Sequence, residues 1–274
     1  MMGFDKIRPA LLASAAMATI GLGCAPTAYA QAPSHAAGVK ATEASWGKGV
    51  WKSNGGVWFS GFASELDYLN PSKAAPNPPP LTPAAAARLM EIRRSLAEGK
   101  AIFNPTAACH PFGIPYKLAG GEFEMLFSPG RVTMLYPSGD YRRIFLDGRG
   151  HPADYDPTYY GHSIGHWEGD TLVIDTVDIR SPDTQIEPHI AKGPDMHVVE
   201  RWRPVGPDKI EVAITMTDPS ILTKPWAVKV SMSRTTDTEL GEALCTDNNR
   251  SKPDANGVVR MLGPGGKPLP KAED

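Results

Sequence analysis

Residues 122–146 read EFEMLFSPGRVTMLYPSGDYRRIFL, and their pattern determines the fold class. Apolar and polar residues alternate over three short segments, which is typical of strands that bury one face. Pro129-Gly130 and Pro137-Ser138-Gly139 separate the segments and are common turn sequences. This stretch therefore predicts three antiparallel strands joined by tight turns.

The same period of two continues towards the C-terminus. Further alternating segments occupy residues 171–176, 197–203, 209–217, 227–234 and 239–245. Eight or nine short strands with turns between them are typical of an up-and-down barrel. We therefore predict a mainly β protein, in which an antiparallel meander closes into a lipocalin-like barrel or forms a strongly curved sheet.

One helix is predicted before the sheet, near residues 83–99. Thr82 can cap its first turn, and the proline that follows is tolerated at the first helical position. Leu89, Ile92 and Leu96 recur at spacings of three and four and form an apolar stripe. We expect this stripe to pack against the sheet.

The first 30 residues have the features of a signal peptide. Lys6 and Arg8 precede an apolar run, and Ala28-Tyr29-Ala30 has the small-x-small pattern of a cleavage site. We therefore expect export to the periplasm and cleavage after Ala30. Lipidation at Cys24 is an alternative.

The rest of the chain is predicted to be a single domain with flexible ends. Residues 31–45 lack periodicity and are expected to be disordered, residues 46–250 to form the barrel-like domain, and residues 251–274 to be a flexible tail. After the leader, no segment reaches the roughly 20 apolar residues of a membrane span. A net charge of −2 favours neither nucleic acid nor a membrane surface as partner. Association into a homodimer is an alternative to a monomer.

Two of the three cysteines, Cys109 and Cys245, remain after cleavage. In an oxidising compartment two thiols are more often joined than free. Cys109 precedes the meander and Cys245 closes the last predicted strand, and a barrel brings its first and last strands together. We therefore predict a disulfide bond between them.

The candidate site lies in residues 147–176, DGRGHPADYDPTYYGHSIGHWEGDTLVIDT. On a strand, His162 and His166 share a face but lie about 13 Å apart, too far for one metal ion. We expect both to point into the barrel, one of them acting as general base. Tyr160 is predicted to donate a hydrogen bond to a developing oxyanion.

Six further residues are predicted to bind the substrate, because they supply aromatic walls, polar rings or a cation for a phenolate or carboxylate. They are Tyr159, Arg142, Arg143, His151, Trp167 and His197. Neighbours in a strand face opposite sides, so one of the two arginines is expected to be a solvated cation. Trp167 also suits the core, and His197 also suits a structural position.

The sequence has no glycine-rich phosphate loop, G-x-S-x-G, H-E-x-x-H or C-x-x-C pattern, so we predict no cofactor. Its residues favour an acid/base enzyme, a lyase acting on a small aromatic compound. One alternative is a non-catalytic carrier of a small hydrophobic ligand. Another is a metal-dependent hydrolase, in which one central histidine would be joined by His151, His189, His197 or Asp154.

Five segments, DGRGHP, GHSIGHWEGDTLVIDT, HVVERWRP, DPSILTKPW and ALCTDNNR, together resemble the motifs of a largely uncharacterised family of exported bacterial proteins. The resemblance covers about residues 109–250 and implies an exported, lipocalin-like barrel. Residues 177–196 depart from the family pattern, so no substrate is carried over. As a small exported barrel the chain is also similar to cofactor-free lyases that release formaldehyde from lignin-derived aromatic compounds. That similarity implies an elimination or retro-aldol reaction.

Overall fold

The computed structural model describes residues 37–54, 59–61, 70, 72–98, 109–182, 184–245, 251–253 and 259–261. The predicted signal peptide, including Cys24, lies outside these residues. Within them, no helix combines the length and apolar character that crossing a membrane requires.

Nine strands form a closed barrel, which confirms the predicted fold class. In chain order, the strands of the structure are β1 (Val50–Ser53), β2 (Glu122–Ser128), β3 (Arg131–Leu135), β4 (Tyr141–Phe145), β5 (His162–Glu168), β6 (Thr171–Val177), β7 (Gln185–Glu187), β8 (Ile190–Ala191), β9 (His197–Gly206), β10 (Lys209–Thr217), β11 (Trp226–Thr235), β12 (Ser251–Pro253) and β13 (Val259–Met261). The barrel order is β1-β11-β10-β9-β6-β5-β4-β3-β2, and β2 pairs with β1 to close it. β7 and β8 form a separate hairpin, as do β12 and β13.

One pair of barrel strands differs from the predicted meander. β4 and β5 run parallel, with Ile144 opposite Ser163, whereas the other eight neighbouring pairs are antiparallel. Parallel strands cannot be joined by a tight turn. Residues 146–161 therefore form a long connection, after which the first residues of β5 pair with the last residues of β4.

The barrel interior is filled with side chains, most of them apolar. Directly paired residues share a face of a sheet, so the register assigns each residue to one side. The largest fully buried side chains include Trp51, Trp202, Arg142, Met125, Met134, Ile144 and Ile174. This packing leaves ligand binding to the outer surface and to the loops.

His162 and His166 lie on the outer face, so the prediction that they point inward is wrong. Ser163 pairs with Thr176, and this alternate set of β5 faces the interior. The interior set is small there because the space is occupied: a Cβ on Gly165 would lie 3.1 Å from Cγ2 of Ile144. His162 and His166 alternate with these residues and therefore face outward.

The N-terminal part of the domain is a helix, α1 (Ala37–Trp46), where disorder was predicted over residues 31–45. Tertiary contacts hold it. The ring of Trp46 lies 5.4 Å from that of Trp167, and Trp51 Nε1 donates a hydrogen bond to the Trp46 carbonyl at 2.9 Å. A helix stabilised at one buried end carries little periodicity of its own.

The predicted second helix is present as α2 (Pro83–Ala97). Thr82 caps it, accepting a hydrogen bond from the Ala85 backbone N–H at 3.4 Å. Ile92 of the predicted stripe is buried. Towards the other end of the chain, β12 and β13 pair within the predicted flexible tail.

The predicted disulfide bond between Cys109 and Cys245 is present, with the two Cα atoms 5.6 Å apart. Residues 239–245, however, do not form the predicted last strand. The segment contains Gly241 and two charged side chains, Glu239 and Glu242, and it contacts the β3–β4 turn through a hydrogen bond from Ala243 N–H to the Pro137 carbonyl. The last barrel strand is β11, which pairs with β1.

Candidate functional site

The connection 146–161 lies against the outer face of the barrel at the start of β5. There, the ring of His162 stacks on Phe145 of β4 at 5.4 Å between centroids. His151 and Tyr155 of the connection meet the same ring edge-on, each at 5.0 Å. His162 is therefore buried between a strand and the loop that crosses it.

The backbone at Gly161 sets the position of His162. Gly161 has a φ of +66°, and a Cβ there would lie 2.4 Å from the Val177 carbonyl oxygen. Glycine is favoured in this left-handed conformation because it has no Cβ. The close approach lets the connection enter β5 directly beside β6.

Three histidines and one carboxylate form a continuous chain of hydrogen bonds on this outer face. His151 Nδ1 lies 2.8 Å from His162 Nδ1, and His151 Nε2 lies 3.1 Å from Asp175 Oδ1. His197 Nε2 lies 2.8 Å from the same oxygen of Asp175. Asp175 belongs to β6 and His197 begins β9, so three separate strands and one loop supply the four side chains.

The hydrogen-bonding capacities of these groups determine where the protons lie. A carboxylate oxygen accepts, so the Nε2 atoms of His151 and His197 carry protons. With this proton on Nε2, His151 is able to accept at Nδ1 from the Nδ1–H of His162. The lone pair of His162 is thereby placed on Nε2, which has no hydrogen-bond partner in the part of the chain that the structure describes.

The surroundings of His162 favour its neutral form. Burial lowers its pKa from the ordinary value of 6.5, and the neighbouring His151 and Arg149 lower it further. Arg149 is held nearby by an ion pair with Asp147 at 2.5 Å and lies 4.0 Å above the Phe145 ring. A neutral imidazole at neutral pH is able to accept a proton.

A pocket of about 390 Å³ adjoins His162. Five aromatic side chains line it, namely Tyr141, Phe145, Tyr155, Tyr159 and Tyr160. The guanidinium of Arg143 also lines it and lies 4.6 Å from the centre of the Tyr141 ring. The wall also includes the carboxylate of Asp140, which accepts a hydrogen bond from Tyr160. Aromatic walls with an imidazole and the Arg143 cation suit a small aromatic ligand whose anionic group lies at Arg143.

Tyr160 lies at the inner end of this pocket. Its hydroxyl donates a hydrogen bond to Asp140 Oδ2 at 3.2 Å, and its ring stacks on Tyr136 at 5.5 Å. Burial raises the pKa of the Tyr160 phenol, so it stays protonated across the physiological range. Tyr159, next to it, lies beneath the guanidinium of Arg180 at 5.3 Å.

Arg142 does not line the pocket, although it was a predicted substrate ligand. Its guanidinium is fully buried in the barrel and contacts Glu200 through two hydrogen bonds, at 2.6 and 3.1 Å. It also donates to Thr176 at 2.8 Å and to Ser163 at 3.2 Å. Arg143, the outward neighbour, is the arginine at the pocket.

His166 and Trp167 also lie away from the pocket. His166 lies four residues after His162 on β5. It is exposed, and its Nε2 lies 3.2 Å from Glu168 Oε1. Trp167 donates from Nε1 to Glu43 Oε1 at 3.2 Å and packs on Trp46. Trp167 is thus a contact between the barrel and α1.

Sequence reasoning missed Asp175 as a site residue. The signal that could have identified it is an ionisable residue within TLVIDTV, an otherwise apolar and largely buried strand. Tyr155 and Asp140 were also missed, because the sequence of a loop or turn does not indicate which other residues it contacts in the folded protein.

Within the described residues, no group of three or more His, Cys, Asp or Glu side chains is arranged to hold a metal ion. At His151 the reason is visible, since both ring nitrogens are already engaged in hydrogen bonds. The arrangement suits proton transfer along the chain of side chains.

Comparison with known proteins identifies no relative, so the functional assignment depends on the geometry of the site. The resemblance of the motifs to an exported bacterial family stays a prediction. No protein-family model matches the chain, and no curated protein matches it significantly in sequence.

Proposed function

We propose that the protein is an acid/base enzyme that acts on a small aromatic compound without a nucleotide cofactor, with His162 as general base. One observation carries this proposal. His162 lies between an aromatic pocket and a hydrogen-bonded chain that ends on the carboxylate of Asp175. A base oriented by a second group and backed by an anion is the arrangement that general-base catalysis requires.

In this proposal Nε2 of His162 takes a proton from the substrate. The positive charge that forms is stabilised through Nδ1, which donates to His151, and His151 in turn donates to Asp175. His197 supports the carboxylate from its other side at 2.8 Å. His151 and His197 thus act on the base, whereas the sequence had suggested contact with the substrate.

The pocket suits the proposed substrate class in size and charge. Its volume of about 390 Å³ is at the lower end of the roughly 300–1,000 Å³ typical of small-molecule sites. Five aromatic side chains offer stacking and edge contacts. Arg143 is placed to neutralise a phenolate or carboxylate on the ring.

A lyase reaction of the retro-aldol type is the version that we favour. For a substrate with a hydroxymethyl group, His162 takes the hydroxyl proton and the adjacent C–C bond breaks, releasing formaldehyde. The electron pair of that bond passes to the remaining carbon, which then receives the proton from the His162 imidazolium. The products together contain all atoms of the substrate, and no oxidant or reductant is consumed.

The test is incubation of the purified protein with hydroxymethyl-bearing aromatic dimers, followed by liquid chromatography and a formaldehyde assay. We expect formaldehyde and the shortened product in equal amounts. Saturable binding with every compound recovered unaltered would instead support the carrier, the second function that this pocket suits. Products without formaldehyde would retain the base but overturn the reaction type.

A further inference from the structure

A second pocket, of about 220 Å³, lies between α2, the proline-rich segment 72–81 and the β7–β8 hairpin. Most of its wall is apolar, formed by Ala74, Ala75, Pro78, Pro79, Leu81, Leu89 and Ile190. It shares no lining residue with the pocket beside His162. Its volume far exceeds the ~30 Å³ that one water molecule occupies in the liquid.

Two polar groups in the wall lack partners in the described part of the chain. Glu187 is fully buried, and its Oε1 accepts a hydrogen bond from the Ser60 backbone N–H at 2.7 Å. The other oxygen, Oε2, and the hydroxyl of Ser60 are buried and make no hydrogen bond of regular geometry, although Ser60 and the Phe59 backbone lie close enough to Glu187 to oppose the rise of its pKa. An unmet buried polar group costs roughly 1–3 kcal/mol, so a site that keeps two of them calls for an explanation.

The protonation state of Glu187 indicates what these groups would bind. Burial raises its pKa to about 8, so the carboxyl is protonated at neutral pH. Because Oε1 accepts from Ser60, the proton belongs on Oε2, which then acts as a donor. The Ser60 hydroxyl is able to donate beside it.

The charged residues of the wall further limit the kinds of ligand that this pocket would bind. Arg93, whose Nη2 donates to the Asn70 carbonyl, and Lys73 both line the pocket. Two cationic side chains beside one protonated acid disfavour a cationic ligand. The remaining match is an apolar molecule with an oxygen acceptor.

We propose that this pocket is a second ligand site, which binds a small apolar molecule through a carbonyl oxygen held by Glu187 and Ser60. The apolar wall takes the carbon skeleton, and the two unpaired groups take the oxygen. The proposal does not depend on the proposed reaction at His162.

Cyclohexanone is a suitable probe, because it is aliphatic and so a poor match for the aromatic pocket. Titration of the mature protein, followed by saturation-transfer NMR, should show saturable binding. Cyclohexylammonium, of similar size but cationic, should bind at least about tenfold more weakly, because an ammonium group offers no acceptor to Glu187 and Ser60. Absence of saturable cyclohexanone binding, or a preference for the cation, would overturn the proposal.

Variants locate the site. Glu187→Leu removes the donor and should weaken cyclohexanone binding about tenfold, whereas Glu187→Gln keeps an N–H donor and should retain binding. Ser60→Ala should weaken binding to a smaller extent, and the exposed Glu239→Gln is the matched control that should change nothing. Equal binding by the wild type, Ser60→Ala and Glu187→Leu would show that the ligand lies elsewhere.

A pH series gives a readout that does not depend on the leucine variant folding. Wild-type binding should weaken as pH rises through about 8, because Glu187 loses the proton that it donates. Binding by Glu187→Gln should stay constant over the same range. A wild-type affinity that does not change between pH 6.5 and about 9 would contradict the donor role.

Discussion

At His162, burial and two neighbouring side chains act in the same direction. The ring loses hydration, and the proximity of His151 and of the Arg149 guanidinium lowers its pKa further, so the imidazolium is disfavoured. Asp178 acts in the opposite sense, because its carboxylate raises the pKa of His162. The result is a base that is free of its proton in the resting protein and is stabilised once it has accepted one.

Substitution of this histidine should separate catalysis from folding. We expect His162→Gln to lower kcat by roughly 10²–10⁴-fold, the usual contribution of a general base. His166→Gln is the matched control, on the same strand and the same face but exposed and paired with Glu168. It should leave kcat near the wild-type value. Equal loss in both variants, or in neither, would remove His162 from the mechanism.

The lowered pKa of His162 also predicts a pH dependence of stability. The folded protein binds this proton more weakly than the unfolded chain does, so the free energy of unfolding should fall as pH drops below about 6.5. Activity should fall over the same range, because the base becomes protonated. Urea unfolding between pH 5 and 8 measures the first effect.

Glu187 changes the free energy of unfolding with pH in the opposite direction. Its contribution has to be subtracted before that of His162 is measured. Its raised pKa disfavours the folded state as pH rises from 4.5 to about 8. The relevant quantity is therefore the difference between the wild type and His162→Gln at each pH. A difference that is constant from pH 5 to 8 would contradict the lowered pKa of His162.

At the scale of elements, the connection between β4 and β5 determines whether the site forms. Gly161→Ala places a Cβ 2.4 Å from the Val177 carbonyl at a φ of +66°. We expect it to cost about 1–3 kcal/mol of unfolding free energy and to lower kcat, because His162 is the next residue. Gly150→Ala, in the same connection but with no atom within 4 Å of its Cβ, should change neither quantity.

The strands could be predicted from the sequence further than the site could. Alternation over residues 122–146 identified β2, β3 and β4, because each buries one face and the turns between them are short. It did not identify the face of β5, because the first two inward residues of this strand, Ser163 and Gly165, are small. Apolar character marks an interior face only where the interior has room for it, and here Arg142 and Ile144 already occupy that room.

The site was harder to predict because its residues come from three strands and a crossing loop. His151, His162 and His197 were all identified as candidates, but their mutual contacts depend on the parallel pairing of β4 and β5. That pairing has no local sequence signal, since it is set by which strand a loop returns to. The disulfide bond was predictable for the opposite reason: two cysteines allow only one pairing.

At the scale of the whole molecule, an ion pair lies at the centre of the barrel. Arg142 and Glu200 are both fully buried, and Trp202 Nε1 adds a hydrogen bond to Glu200 at 2.9 Å. Arg142→Met would leave a carboxylate without its cation and should cost about 3–5 kcal/mol of unfolding free energy.

The partner substitution should reverse part of that loss. Adding Glu200→Gln to Arg142→Met removes the buried charge and keeps an acceptor for Trp202. The double variant should therefore unfold at higher urea concentration than Arg142→Met alone. A double variant less stable than the single one would show that the pair is not coupled in this way.

Closure of the barrel also imposes an order on biosynthesis. β1 is the first barrel strand to leave the ribosome, yet it pairs with β11, which is the last. A nascent chain that ends before residue 226 has both edges of its sheet open, and exposed edges are sites of mispairing between chains. Such truncated chains should be cleaved rapidly in pulse proteolysis, whereas chains that extend past residue 235 should resist it. The barrel therefore closes only after β11 has been synthesised, and until then any factor that prevents aggregation has to cover two exposed sheet edges.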